Sequence, residues 1–202
     1  MTPLEMTTLE IRQTLRNKRK ALSLQHQELH AQKAFNVFKE WLQSKYPQPS
    51  KIAFFLSQDG ELNTHPCIEY LFNETQHQVY LPVLQTRTDL HMAFAHYHSQ
   101  STMVTNKFGI KEPKESHNKH FSGEDMDIVM MPLVGFDNHG NRLGMGGGYY
   151  DRTFEFKLNR NICSPKLIGW AHQCQQLETL PHYSWDVPLD GIITENGYHS
   201  FK

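Results

Sequence analysis

The sequence has no long uninterrupted apolar run. One of its most apolar stretches, Ile128 to Phe136, is broken by Pro132 and Gly135 and falls far short of the roughly 20 residues a membrane helix needs. The N-terminus, MTPLEMTTLEIRQTLRNKRK, lacks the succession of basic region, apolar stretch and small-residue cleavage site that marks a secretory signal. Cysteine is scarce as well. Cys67, Cys163 and Cys174 are odd in number and form no CxxC motif, which favours free thiols in a reducing compartment over a disulfide framework. No excess of charge of one sign exists: 20 Lys and Arg against 21 Asp and Glu leave a formal net charge of -1. Nothing global therefore draws the chain to nucleic acid or an anionic membrane. The expectation is a cytoplasmic monomer that acts on small molecules, with no nucleic acid and no membrane partner, and any anion site must be local.

What is present is enough for a core. With 202 residues, 38% of them hydrophobic and 11% aromatic, the chain needs no disulfide or structural metal to fold, and residues 1–202 are expected to form one domain. Ile11, Leu15 and Leu22 recur at helical spacing beside a basic stripe of Arg12, Arg16 and Arg19, so an N-terminal helix is expected whose cations lean over a neighbouring cleft. Ser23 suits the cap of a second helix carrying Ala34, Phe35, Phe38, Trp41 and Leu42, which Pro47 and Pro49 end.

After that the period changes. Strands are expected at Ile52–Leu56, Val79–Leu84, around Leu90, Met92 and Phe94, at Ile128–Val134, Leu167–Ala171 and Gly191–Thr194. Pro82 marks an edge or a strand end. Asn63 or Thr64 can cap a helix with Ile68, Leu71 and Phe72, and Thr105–Gly123 and Gly135–Gly148 read as loops. This alternation predicts an α/β fold, a three-layer α/β/α arrangement with a mainly parallel sheet and an N-terminal helical arm. In such folds ligands bind beyond the carboxyl ends of the strands.

The most informative stretch is FDNHGNRLGMGGGYYDR, from Phe136 to Arg152. Four glycines within five residues, Gly144, Gly146, Gly147 and Gly148, allow bare backbone to approach a ligand and turn its amides inward as an anion nest. A helix starting near Tyr149 would add its free amides to the same anion. The run is neither G-x-G-x-x-G nor a Walker loop. Arg142 opens it with a planar cation suited to phosphate, and Asp151 closes it with a hard oxygen of the kind magnesium takes. No G-x-S-x-G elbow or cysteine nucleophile is identifiable. Of the 13 histidines, His96 with His98, His117 with His120, and His172 with Cys174 form partial metal motifs. None has a second half at ligand spacing, so no structural zinc site is expected.

RLGMGGGYYDR resembles the signature of the 5-formyltetrahydrofolate cyclo-ligase family. The arm IRQTLRNKRKAL, the segments FFLSQDGELNT, FGIKEP and DIVMMPLVGFDNHG, and the terminal LIGWAHQCQQLETLPHYSWDVPLDGIITENG follow in the family's order. The resemblance implies ATP- and Mg2+-dependent cyclisation of 5-formyltetrahydrofolate to 5,10-methenyltetrahydrofolate, with release of ADP and phosphate. It implies ATP contacts at Arg12, Gln13, Thr14, Leu15 and Arg16, where Arg12 replaces the usual lysine, and at Arg142, Leu143, Gly144, Met145, Gly146, Gly147, Gly148, Tyr149 and Tyr150. Arg142 and Tyr150 would be catalytic. Folate contacts would be Leu56 and Glu61 with Met145 to Tyr149, and the metal ligands Asp151 and Asp186, with Asp190 four residues further on. The alternative is a folate or nucleotide binding protein without turnover. An RNA-binding role for the basic arm is disfavoured by the neutral charge and the lack of an RNP-like aromatic motif.

Overall fold

A computed structural model describes residues 6–84, 92–116, 119–159 and 162–201. Helices α1 (Thr8–Lys20) and α2 (Leu24–Lys45) come first, then β1 (Lys51–Ala53), α3 (His65–Glu74), β2 (Gln78–Val83) and β3 (Ala93–Tyr97). A two-stranded ribbon follows, β4 (Met103–Thr105) with β5 (Lys111–Pro113), and then β6 (His120–Phe121) and β7 (Ile128–Met131). The last third holds a hairpin of β8 (Gly135–Phe136) and β9 (Arg142–Leu143), α4 (Tyr149–Thr153), β10 (Lys166–Trp170), β11 (Gly191–Thr194) and β12 (Gly197–Ser200).

Eight strands form one sheet in the order β12-β11-β10-β7-β1-β2-β3-β6. Its centre, β11-β10-β7-β1-β2, is parallel, and the flanking β12, β3 and β6 each pair antiparallel with the strand on their inner side. Strict alternation splits the strands between two cores. Ile52, Val79, Leu81, Ile128, Met130, Ile168 and Ile193 face Phe38, Leu42 and Ile68 of α2 and α3. Ala53, Tyr80, Val129, Met131, Leu167 and Ile192 face Phe154, Val187 and Leu189. Burial on both faces explains why the central strands read as continuous apolar runs rather than as alternating ones. The expected α/β architecture is met, with the second face covered by the short α4 and by turns instead of long helices.

Several local expectations hold for the reasons given. Ser23 Oγ accepts from the His26 amide at the start of α2, which stops before Pro47. Asn63 Oδ1 takes the His65 N–H at the start of α3, while Thr64 turns its hydroxyl to the Phe55 carbonyl instead. Pro82 is not on an edge strand but near the end of β2, beyond the last pairing with β1 at Tyr80, where no ladder donor is needed. Met92 and Phe94 are buried, and Leu90 and His117 lie outside the described residues. The loop expected at Thr105–Gly123 contains β5 and β6, and the one at Gly135–Gly148 contains the β8–β9 hairpin. Strands of two or three residues leave no periodic trace.

The arm α1 closes one end of the sheet. Ile11 and Leu15 pack on Val134, Leu143 and Leu180. A Cβ on Gly135 would stand 2.4 Å from Leu15 Cδ1, so the missing side chain is what lets the helix settle on β8. The next buried position is Arg19, in place of the expected Leu22, which follows the end of the helix. Leu15→Ala is expected to cost about 2–5 kcal/mol, as for other buried leucines, read by urea titration.

Candidate active site

A cavity of about 910 Å³ opens beyond the carboxyl ends of β1, β2 and β7, lined there by Leu56, Leu84 and Leu133. The opposite wall is the glycine loop, from Arg142 to Arg152. This is the place the parallel topology foretells.

The loop is held at its base by a buried carboxylate. Asp137 accepts the amides of His139, Asn141 and Leu180 and the Asn141 side chain at 2.8–3.0 Å, which fixes the turn of the β8–β9 hairpin. Arg142 then leaves β9 with its side chain 5% exposed, and its Nη2 donates to Asp151 Oδ1 at 2.5 Å. The Val187 amide donates to the same oxygen at 3.2 Å, drawing the segment around Asp186 into the cavity wall. Burial lowers the Arg142 guanidinium from its ordinary value, against the opposing pull of Asp151. Its Nε is buried and has no hydrogen-bond partner among the described residues, so it is free to donate to an anion. Between these fixed ends Gly146 and Gly148 adopt φ of 92° and 64°, which other residues rarely take. The helix α4 has only five residues, so its dipole is short and the loop amides matter more than the expected helix terminus.

From α1, only the first cation reaches this loop. Arg12 Nε donates to the Gly144 carbonyl at 2.8 Å, and the guanidinium lies 3.6 Å from where a Gly146 Cβ would be. Arg16 turns instead to Asp59 (2.9 Å), which also takes Arg19 (3.0 Å) and Lys20. Gln13 and Thr14 are exposed on the outer face, and Leu15 is fully buried in the small core, so none of Gln13, Thr14, Leu15 or Arg16 lines the cavity. One helical face cannot serve both the core and the cleft.

Leu56 packs partly on the core and partly on the cavity. Glu61 accepts from the Gln58 amide at 3.0 Å and faces Arg19 at 3.7 Å, with its side chain 14% exposed. Burial raises its carboxyl above the ordinary value, against the weaker pulls of the Gln58 amide and Arg19. Burial and the nearby Glu61 charge push the Tyr150 phenol up, so it stays a protonated donor.

A family model described as the 5-formyltetrahydrofolate cyclo-ligase family matches residues 6–195. The chain belongs to the 5-formyltetrahydrofolate cyclo-ligase family. The cyclo-ligase of Escherichia coli (strain K12) is 40% identical over 184 residues, 89% of this chain and 96% of that protein. The Haemophilus influenzae cyclo-ligase is 43% identical over 146 residues, 72% of this chain and 76% of that one. Among solved structures, the 5,10-methenyltetrahydrofolate synthetase of Aquifex aeolicus superposes with a TM-score of 0.77 at 28% identity, covering 98% of this chain and 94% of its own. That of Mycoplasma pneumoniae gives 0.70 at 28% identity, with 94% and 99% covered.

As a member of this ligase family, the chain has oxygen donors suited to a hard cation. Asp151 Oδ1 is taken by Arg142 and Val187, and Asp186 Oδ2 by the Tyr183 amide. The second oxygen of each has no hydrogen bond among the described residues, and both side chains line the cavity. Two carboxylate oxygens fit magnesium, which fills its remaining positions with water and phosphate. Asp190 does not compete. It is buried, takes the Leu167 amide and faces Lys157 and Lys166.

Sequence reasoning assigned no contacts to two features of this chain. Phe108 and Lys111, from the FGIKEP segment, reach the cavity, with the Phe108 ring edge-on to Tyr149 at 5.9 Å. Asp59, in the left-handed region at φ 54°, gathers three cations. An Asp-Gly pair is turn chemistry, but nothing local says what the carboxylate meets. Burial works to raise Asp59, yet the hydrogen bonds from Arg16, Lys20 and Arg19 outweigh it and hold the group well below the carboxylate range. Asp59→Ala leaves the 1%-exposed Arg19 without its main partner and is expected to cost about 3 kcal/mol or more. Lys20→Ala removes a half-exposed pair worth under about 1 kcal/mol. Chemical denaturation of the two variants measures the difference.

Proposed function

We propose that this chain, acting as a single domain, uses ATP with Mg2+ to close 5-formyltetrahydrofolate to 5,10-methenyltetrahydrofolate, releasing ADP and phosphate. One observation carries the reading: the bare glycine loop with Arg12, Arg142, Asp151 and Asp186, and the apolar-plus-carboxylate pair Leu56 and Glu61, line the same cavity. A phosphate donor and a flat, donor-rich pterin would therefore meet inside it.

The chemistry needs that meeting. A formamide carbon is a poor electrophile because its nitrogen donates into the carbonyl, and its oxygen is a poor leaving group. Transfer of the terminal phosphoryl group to the formyl oxygen releases ADP and makes that oxygen part of a phosphate ester. The nitrogen at position 10 then attacks the carbon, loses its proton, and phosphate departs, leaving the methenyl cation. No protein nucleophile is needed, so the chain's work is positioning and charge stabilisation. The partnerless Arg142 Nε and the amides from Leu143 to Tyr149 take phosphoryl oxygens, and Arg12 holds the loop from above while its remaining donors face the same charge. Of the α1 residues implied by the family pattern, we assign Arg12 alone to ATP. Tyr150 donates from its neutral phenol, and Glu61 accepts from the aminopyrimidine edge of the pterin, which Leu56 walls. Held by Asp151 and Asp186, magnesium would neutralise phosphate charge. A monomer in a reducing, cytoplasmic setting fits the three cysteines, all free thiols, and no helix among the described residues is long and apolar enough to cross a membrane.

The absorbance of the extended methenyl chromophore is expected to grow when 5-formyltetrahydrofolate and MgATP are both present, and not without MgATP. If both ligands bind and no product forms, the chain is a binding protein instead. Arg142→Ala is expected to lower the cyclisation rate by about 10² to 10³, the scale of losing one preorganised donor, with the fold checked by circular dichroism.

Glu61 adds a pH dependence. It binds the pterin as a carboxylate, and its raised pKa means that acidification protonates it earlier than an exposed carboxylate. The folate KM should therefore rise as pH falls through that pKa, while Glu61→Gln should show a high KM with this dependence gone. An unchanged KM in the variant would remove Glu61 from the folate site.

A further inference from the structure

Away from the cavity, three ligand-bearing side chains converge at the carboxyl ends of β10 and β11. His30 comes from the second turn of α2, His172 lies two residues past β10, and Glu195 directly follows β11. The Nδ1 atoms of His30 and His172 are 3.0 Å apart, and His30 Nδ1 is 3.3 Å from Glu195 Oε1. Ligand atoms of all three lie within 4.8 Å of one another. His172 is fully buried, whereas the His30 and Glu195 side chains keep 17% and 8% exposure. None of the three lines the cavity, and the cyclisation makes no use of them.

Hydrogen bonding alone satisfies this cluster poorly. If His30 carries its proton on Nδ1, that proton is divided between His172 and Glu195. His172 then holds its own on Nε2, which is buried with no hydrogen-bond partner among the described residues. If His172 carries the proton on Nδ1 instead, the His30 lone pair is turned toward the Glu195 carboxylate as well, which is repulsive.

We propose that His30, His172 and Glu195 form a binding site for a zinc-class divalent ion, held by two imidazole nitrogens and one carboxylate oxygen, with a fourth position open to solvent. The separations of 3.0 and 3.3 Å are close to the edge of about 3.3 Å of a tetrahedron whose ligands stand ~2.0–2.1 Å from zinc. An outer contact is already in place: the Gln173 amide donates to Glu195 Oε2 at 2.9 Å, which leaves Oε1 for the ion. Coordination through Nδ1 also fixes the His172 proton on Nε2. Nitrogen donors and three protein ligands suit zinc and exclude magnesium, which demands oxygens. The ion would bolt α2 to two strand ends, a long-range staple that sequence spacing, which set His172 beside Cys174, does not reveal.

The full chain, stripped with a chelator and dialysed, is titrated with Zn2+ and with Co2+. One equivalent of zinc should bind and raise the melting temperature, and cobalt should give the intense visible bands of a tetrahedral site. His30→Gln should lose more than about 100-fold in zinc affinity, beyond the loss from removing a merely supporting group. Glu195→Gln, a second variant with a partly exposed side chain, should behave alike. Absence of stoichiometric binding, an octahedral cobalt spectrum, or equal zinc affinity in the wild type and both variants would overturn the proposal.

Discussion

The ion pair between Arg142 and Asp151 joins the two ends of the glycine loop, and much of the candidate site depends on it. A loop with four glycines has little stiffness of its own, so its shape has to be imposed from its ends. Arg142 arrives from a hairpin fixed by Asp137, Asp151 arrives on α4, and Val187 adds its amide to the same carboxylate oxygen. Three separate pieces of chain are thereby tied at one carboxylate, and the backbone between them is left bare and facing the cavity.

The two buried arginines show how compensation separates a structural cation from a functional one. Arg19 is covered by Asp59, by Glu61 and by the Asp59 and Leu133 carbonyls, so its charge is largely spent inside the protein. Arg142 has one carboxylate and an unpaired Nε. A buried donor left without a partner costs free energy, and an incoming phosphate oxygen would recover it. Arg12 lies between these cases, tethered to the loop by one bond and otherwise open to the cavity. The same helix thus stabilises the fold with its last turn and serves the site with its second.

The energetic logic of the fold follows the same division. The sheet is buried on both faces and needs little from polar contacts, while its carboxyl edge concentrates the charged groups that the core cannot take. Asp59, Glu61, Arg142 and Asp151 lie along that edge, and so does the histidine cluster further across. Leu56 and Leu133 give part of the cavity an apolar floor, and charge interactions are stronger beside such low-dielectric surroundings.

By itself the sequence determined the parallel core strands, α2 with its serine cap and proline stop, and the glycine loop with its flanking Arg142 and Asp151. Each rests on local pattern: a period of two or 3.6, a cap, or a backbone that only glycine adopts. The short strands β4, β5, β6, β8 and β9 and the exposed edge strand β12 left no such pattern, since pairing with a neighbour creates them. Only the tertiary structure decided that Arg12 meets the loop while Arg16 and Arg19 meet Asp59, that Asp186 borders the cavity while Asp190 is consumed by two lysines, and that His172 faces His30. Helical and strand periods fix which residues share a face. What that face meets is set by segments 40 to 142 residues away in the chain, and no local spacing encodes it.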